Sequence, residues 1–175
     1  MPKTRFVVLK FLLYASVAVL LAIVQNTPDL LTIGTAKPML AAAFAVAVAM
    51  FEGEFAGALL GAFCGVLCDF FSYYRFGYYA LMLFCCCLAV GLLVQGYMRP
   101  VVMNCCLFIL VTMLFSQGVA FFFVFLIRGY EGTGMLFALG ILPLCLYTVA
   151  AGIPAFFGVK AIHDWFKKRI EPAEN

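Results

Sequence analysis

Charge is what this sequence has least of. Only 11% of its 175 residues are Asp, Glu, Lys or Arg, where a soluble domain carries about 25%. So few charges cannot cover a globule, and with 67% hydrophobic residues and a mean hydropathy of +1.14 a soluble domain is excluded. The chain has one histidine and one tryptophan. No C-x-x-C pair occurs, and His163 stands apart from the cysteines, so no metal-ligand pattern can be drawn. Ser16, Ser72 and Ser116 have no nearby His and Asp to complete a catalytic triad. Phosphate-loop and dinucleotide fingerprints are missing, and so is any solenoid repeat. A non-enzymatic protein without a cofactor is therefore expected. The net charge of +3 comes from the two ends and speaks for topology rather than for a nucleic-acid partner.

What is present is a series of apolar stretches near membrane length. The first runs from about Phe6 to Val24 after Lys3, Arg5 and Lys10. The following Gln25-Asn26-Thr27-Pro28 offers no small-x-small cleavage site, so a retained helix is expected, with Lys10 snorkelling to the headgroups. Pro38 suits the start of a second helix. Fourteen uncharged residues separate Lys37 from Glu52, and fourteen separate Glu54 from Asp69. Each run covers only about 21 Å of a ~30 Å hydrocarbon core. Two crossings joined by a Glu52-Gly53-Glu54 turn, or a re-entrant hairpin, fit these lengths, and two crossings are favoured. The glutamates are expected to be interfacial anchors.

A fourth helix spans about Gly77 to Tyr97 and a fifth Val101 to Ile127, with slack for tilt or a break at Ser116-Gln117-Gly118. The sixth ends near Val159, with Pro143 and Pro154 kinking it or delaying its start. The organisation expected is an all-α, six-helix transmembrane domain (residues 1–159) and a basic amphipathic tail (residues 160–175). In that tail Trp165, Lys167, Lys168 and Arg169 anchor at the interface. Six crossings place eight basic residues on one face and Lys37, Arg75 and Arg128 on the other. The positive-inside rule then makes both termini cytoplasmic. The eight cysteines all fall in apolar stretches and are expected to act as small hydrophobes.

Gly53, Gly57, Gly61 and Gly65 recur every fourth residue and end in Asp69. Side chains four apart lie about 40° apart around a helix, so these glycines form a winding groove of bare backbone. Such a groove admits close approach of another helix, from the same chain or from a partner. Asp69 follows near a helix C-terminus, where a carboxylate is disfavoured without a counterpart. Arg75 is the nearest cation and the amides around Gly77 the nearest donors. A structural clasp of Asp69, Arg75 and Gly77 is the expected role, with a ligand contact as the alternative.

The order Pro28-Asp29, Pro38, Gly61-x-x-x-Gly65-x-x-x-Asp69 and Gly77 resembles the rod-shape-determining MreD family of bacteria. Tyr73-Tyr74-Arg75 departs from the small residues usual there. The resemblance implies a non-enzymatic membrane subunit of the cell-elongation complex, needed for side-wall peptidoglycan synthesis. Its implied partner is an MreC-like single-pass scaffold, and through it an MreB-like filament and the wall synthases. It also implies a fold like the substrate-binding subunits of energy-coupling-factor transporters. A vitamin-binding subunit of that kind is thus the alternative, with Ala18 and Ala22 as a small-residue pair on the first helix.

Overall fold

Where water is absent, a backbone must satisfy its own polar groups, and a helix does so within one segment. A computed structural model of the chain describes residues 3–27, 37–71, 77–123 and 141–170, with side chains from residue 6 to residue 168. It contains helices α1 (Lys3–Asn26), α2 (Leu40–Glu52), α3 (Glu54–Phe70), α4 (Tyr78–Gly96), α5 (Val102–Phe121) and α6 (Leu142–Ile170). No strand occurs among the described residues. Among the described residues four segments are long and apolar enough to cross a membrane: Phe6–Asn26, Tyr78–Gly96, Val102–Phe121 and Leu142–Lys168. The chain is therefore an all-α protein of multi-pass membrane type. Pro28, Asp29, Arg75 and Arg128 lie outside the described residues, as does the polar turn 128–134.

Side-chain contacts show the helices alternating in direction. Lys10 near the start of α1 meets Glu52 at the end of α2, while Gln25 near the end of α1 meets the backbone of Ala41. A carbon added at Gly57 of α3 would lie 2.5 Å from the Ala49 Cα of α2, so these two helices form a hairpin about Gly53. Gly91 of α4 backs onto Glu54, and Gly65 onto Ala80, so α4 runs opposite to α3. The Tyr78 hydroxyl at the start of α4 reaches the Ser116 carbonyl near the end of α5. Thr148 and His163, early and late in α6, meet the start and end of α2.

The short helix α2 is the centre of the bundle. No residue from Ala41 to Met50 is more than 4% exposed. Its alanines let α1, α3, α5 and α6 approach closely, so the 13-residue α2 is sheathed by protein and needs no lipid-matched length of its own. Gly53 forms the whole connection to α3, at φ 87° and ψ −178°. Essentially only glycine adopts that conformation.

The fifth helix does not break at Ser116-Gln117-Gly118. The Ser116 hydroxyl donates to the Met113 carbonyl within the helix, and the Gln117 amide reaches the sulfur of Met39, just before α2. The sixth helix is described from Leu142 onward and includes Pro143. It runs 29 residues without interruption, past Pro154 and past residue 160. The basic tail is thus helical from residue 160 to residue 170, and Phe166 within it is buried at 2% exposure.

The ladder glycines are consumed inside the chain. A carbon at Gly61 would lie 2.8 Å from the Cys87 sulfur and 3.0 Å from the Leu83 carbonyl oxygen, whereas one at Gly118 meets nothing within 4 Å. Overpacking of this kind costs about 1–3 kcal/mol, while Gly→Ala in an open helical position gains up to about 1 kcal/mol. Gly65→Ala should therefore lower the melting temperature in detergent, and Gly118→Ala should hold or raise it. Equal melting of the two variants would show that α3 and α4 are not in such close contact.

Candidate functional site

Two buried carboxylates mark opposite ends of the bundle. Asp69 is 4% exposed and sits in the last turn of α3, aimed at the start of α4. Its Oδ1 accepts from the Tyr79 amide at 3.0 Å, and its Oδ2 accepts from the Gly77 and Ala80 amides at 3.0 and 3.1 Å. These N–H groups belong to the first turn of α4, which has no acceptor of its own. Gly77 turns the chain into position at φ 97°, the left-handed region that favours glycine. Asp69 thus caps α4 from another helix, and the positive end of the α4 dipole offsets the unfavourable end of α3. The clasp pairs Asp69 with Gly77, and Arg75 falls in the part of the chain not described.

Both carboxylate oxygens are engaged, so an amide is a poor substitute: its NH₂ would face a backbone N–H. Leaving a buried donor unpaired costs about 1–3 kcal/mol. Asp69→Asn should melt below the wild type in detergent, and Asp69→Leu, which leaves all three amides bare, lower still. If Asp69→Leu matched the wild type, the cap would not contribute to stability.

At the other end Glu52 gathers three helices. Its Oε1 lies 2.6 Å from Lys10 Nζ, 2.9 Å from the Tyr14 hydroxyl and 2.9 Å from His163 Nδ1, and its Oε2 accepts from Lys10 at 2.7 Å. With Nδ1–H donating to Glu52, the 3.4 Å approach of Lys10 Nζ to the same nitrogen is a contact between two donors sharing one acceptor. The side chains of Lys10 and Glu52 are each 9% exposed. Lys10 therefore does not snorkel: its stem runs inward because a carboxylate waits there. Glu52 is likewise no interfacial anchor. Phe51 stacks against His163, ring centroids 5.4 Å apart, fixing the imidazole over the end of α2.

This quartet was missed by reasoning from the sequence, although a signal exists. Lys10, Tyr14, Ala18 and Ala22 fall every fourth residue, and all four are buried. A lysine sharing the stripe of the smallest residues faces the bundle. Chemically the quartet is an ion cluster with its donors and acceptor matched, and its members line neither of the apolar hollows between α1 and α6. Removing one partner of a buried pair costs about 3–5 kcal/mol, whereas replacing both by apolar groups of similar volume is often neutral. Lys10→Met and Glu52→Leu should each lower the melting temperature sharply, and the double variant should recover much of the loss. Additive losses in the double variant would mean that the two groups act independently.

The remaining sequence candidates have these surroundings. Gly53 faces the Gln95 amide and Gly57 faces Ala49, while Gly61 and Gly65 face α4. Trp165 is 50% exposed, and Lys167 and Lys168 are exposed. None of the eight cysteines forms a disulfide, and five of them are buried. What the fold and these two ends define is an α-helical membrane protein whose buried ionisable groups tie helices together. No family model, curated protein or solved structure matches the chain.

Proposed function

We propose that this chain is a non-catalytic membrane subunit of a bacterial cell-elongation complex, of the MreD kind, which acts by holding an MreC-like single-pass scaffold. The observation that carries the proposal is the Gly61–Gly65–Asp69–Gly77 unit. Four of the residues that give the sequence resemblance, Gly61, Gly65, Asp69 and Gly77, are also ones that join α3 to α4. A buried carboxylate that accepts three backbone amides at a helix start has a structural task.

Six crossings of the cytoplasmic membrane, with both termini in the cytoplasm, complete the proposal. Support comes from the alternating helix directions and from the eight-to-three bias of basic residues. Against the vitamin-transporter alternative, Ala18 and Ala22 are 0% and 2% exposed within the chain's own core and are not offered to a transport partner. Partners are met through outer helix faces, short loops and the basic end of α6.

In a rod-shaped host, depletion should round the cells, and affinity purification from membranes should recover a single-pass scaffold protein. Recovery of paired cytoplasmic ATPases with a coupling subunit, together with tight binding of a small vitamin, would overturn the proposal. Reporter fusions check the topology: fusions at Asn175 should give a cytoplasmic signal, and fusions in the 128–134 turn an extracytoplasmic one. An extracytoplasmic signal at Asn175 would exclude six crossings.

A further inference from the structure

Helix α3 is shorter than the helices beside it, and unlike α2 it is not sheathed by protein. Its 17 residues rise about 25 Å, against about 31 Å for the apolar segment of α1 and about 30 Å for α5. Phe55, Leu59, Phe63 and Phe70 are all exposed, and helical spacing places them within an arc of about 80°. One whole side of α3 is therefore apolar and turned outward.

The shortfall lies at one end. Asp69 is bound to the first turn of α4, so α3 and α4 are level there. At the other end a carbon added to Gly91 of α4 would lie 2.6 Å from the Glu54 Cα, so these two residues are also level. Helix α4 then continues for five residues, to Gly96, with Leu92 and Leu93 exposed. Lys10 is level with Glu52, and the apolar segment of α1 begins four residues earlier, at Phe6. Five and four residues rise about 7.5 and 6 Å. The apolar side of α3 stops short of its neighbours by that much. Its last group, the Glu54 carboxylate, is half-buried and has no hydrogen bond or ion pair among the described residues.

We infer that the outward side of α3 is a lipid contact that thins the leaflet on the Glu54 side by about 6 Å and so favours short acyl chains. Too short an apolar face is accommodated by shifting the helix, by snorkelling flanks, by a partner helix or by thinning the bilayer. Shifting is closed, because α3 is fixed by Asp69, by Gly91 of α4 and by Gly57 against Ala49. Snorkelling needs a long cationic stem, and the residue at this end is Glu54. The Gln95 side chain is also drawn back against Gly53. An unpaired carboxylate is costly in hydrocarbon, so water and headgroups must reach the level of this turn. A partner helix packs best on small residues. The glycines of α3 face α2 and α4, and phenylalanine and leucine face outward. Thinning is what remains.

Tryptophan reporters in the full chain test the contact, since Trp165 is the sole native tryptophan. In a Trp165→Phe background, Leu59→Trp or Phe63→Trp reports on α3 and Leu107→Trp on the exposed side of α5. Folding is confirmed by melting curves like that of the wild type. Each protein is reconstituted in brominated dioleoyl phosphatidylcholine mixed with a fourteen-carbon or a twenty-two-carbon phosphatidylcholine, and relief of quenching measures local lipid preference. The preference for the shorter lipid should be at least about twofold greater on α3 than on α5. Equal preference at the two positions would overturn the inference. So would α3 reporters that brominated lipid does not quench, since a second copy or a partner helix then covers the face. A second measurement uses the wild type. A water-soluble carbodiimide with an added amine should modify Glu54 in intact proteoliposomes. Modification of Glu54 by a lipid-soluble carbodiimide alone would place hydrocarbon at that depth and overturn the inference equally.

Discussion

A helix buried on every side must have both of its ends satisfied by protein, and the fold is organised around that demand in α2. Its first turn exposes N–H groups that no solvent reaches. The Met39 amide donates to the Thr148 hydroxyl of α6, and the Ala41 amide to the Gln25 side chain of α1. Thr148 in turn donates to the Leu144 carbonyl, so its hydroxyl is used in both directions. At the far end α2 terminates in Glu52, whose charge would be costly there without Lys10 and His163 from the same two helices. Helices α1 and α6 are thus pinned to α2 at top and bottom. Alanine between the pins allows the approach that makes those short contacts geometrically possible.

The two buried carboxylates solve one electrostatic problem in different ways. Asp69 is neutralised by dipoles, three oriented amides at a helix start, and joins elements close in sequence. Glu52 is met by side chains drawn from residues 10, 14 and 163, and so joins parts of the chain far apart in sequence. The first device fixes the hairpin geometry of α3 and α4, with a glycine on either side of the joint to admit backbone against backbone. The second closes the bundle, since it joins the last helix to the first two. A long helix such as α6 needs that second fastening at its far end, where apolar burial gives way to exposed lysines.

The class followed from composition and hydropathy, since apolar runs of membrane length have few other outcomes. Asp69 with Gly77 was equally legible: a carboxylate at the end of one helix, eight residues before a glycine that opens the next, has a local partner within reach. The Glu52 quartet was not, because ion pairs between residues 42 and 111 positions apart leave no local pattern. Lys10 near a membrane end has snorkelling as its default, and only the four-residue spacing with Tyr14, Ala18 and Ala22 argues otherwise. The helix continues past residue 160 for a physical reason. Charge rises there, but the helical repeat of apolar residues does not stop: Phe156, Val159 and Phe166 are all buried on one face.

The glycine ladder shows how a motif can be legible while its target is not. Bare backbone at every fourth position says that something comes close, and the contacts here come from α2 at Gly57 and from α4 at Gly61 and Gly65. Once that groove is filled from within, it is no longer available to a partner's helix. The surfaces that remain are the outer faces, where Val8, Leu12 and Leu20 on α1 and Met103, Leu107 and Val111 on α5 are exposed. Large branched and flexible side chains of this kind suit lipid, and they bring a second helix less close than glycine does. Any scaffold helix bound there would have to gain its affinity from shape and from contacts beyond the bilayer. That places the burden of specificity on the charged end of the bundle, where α1, the α2–α3 turn and the last turns of α6 converge.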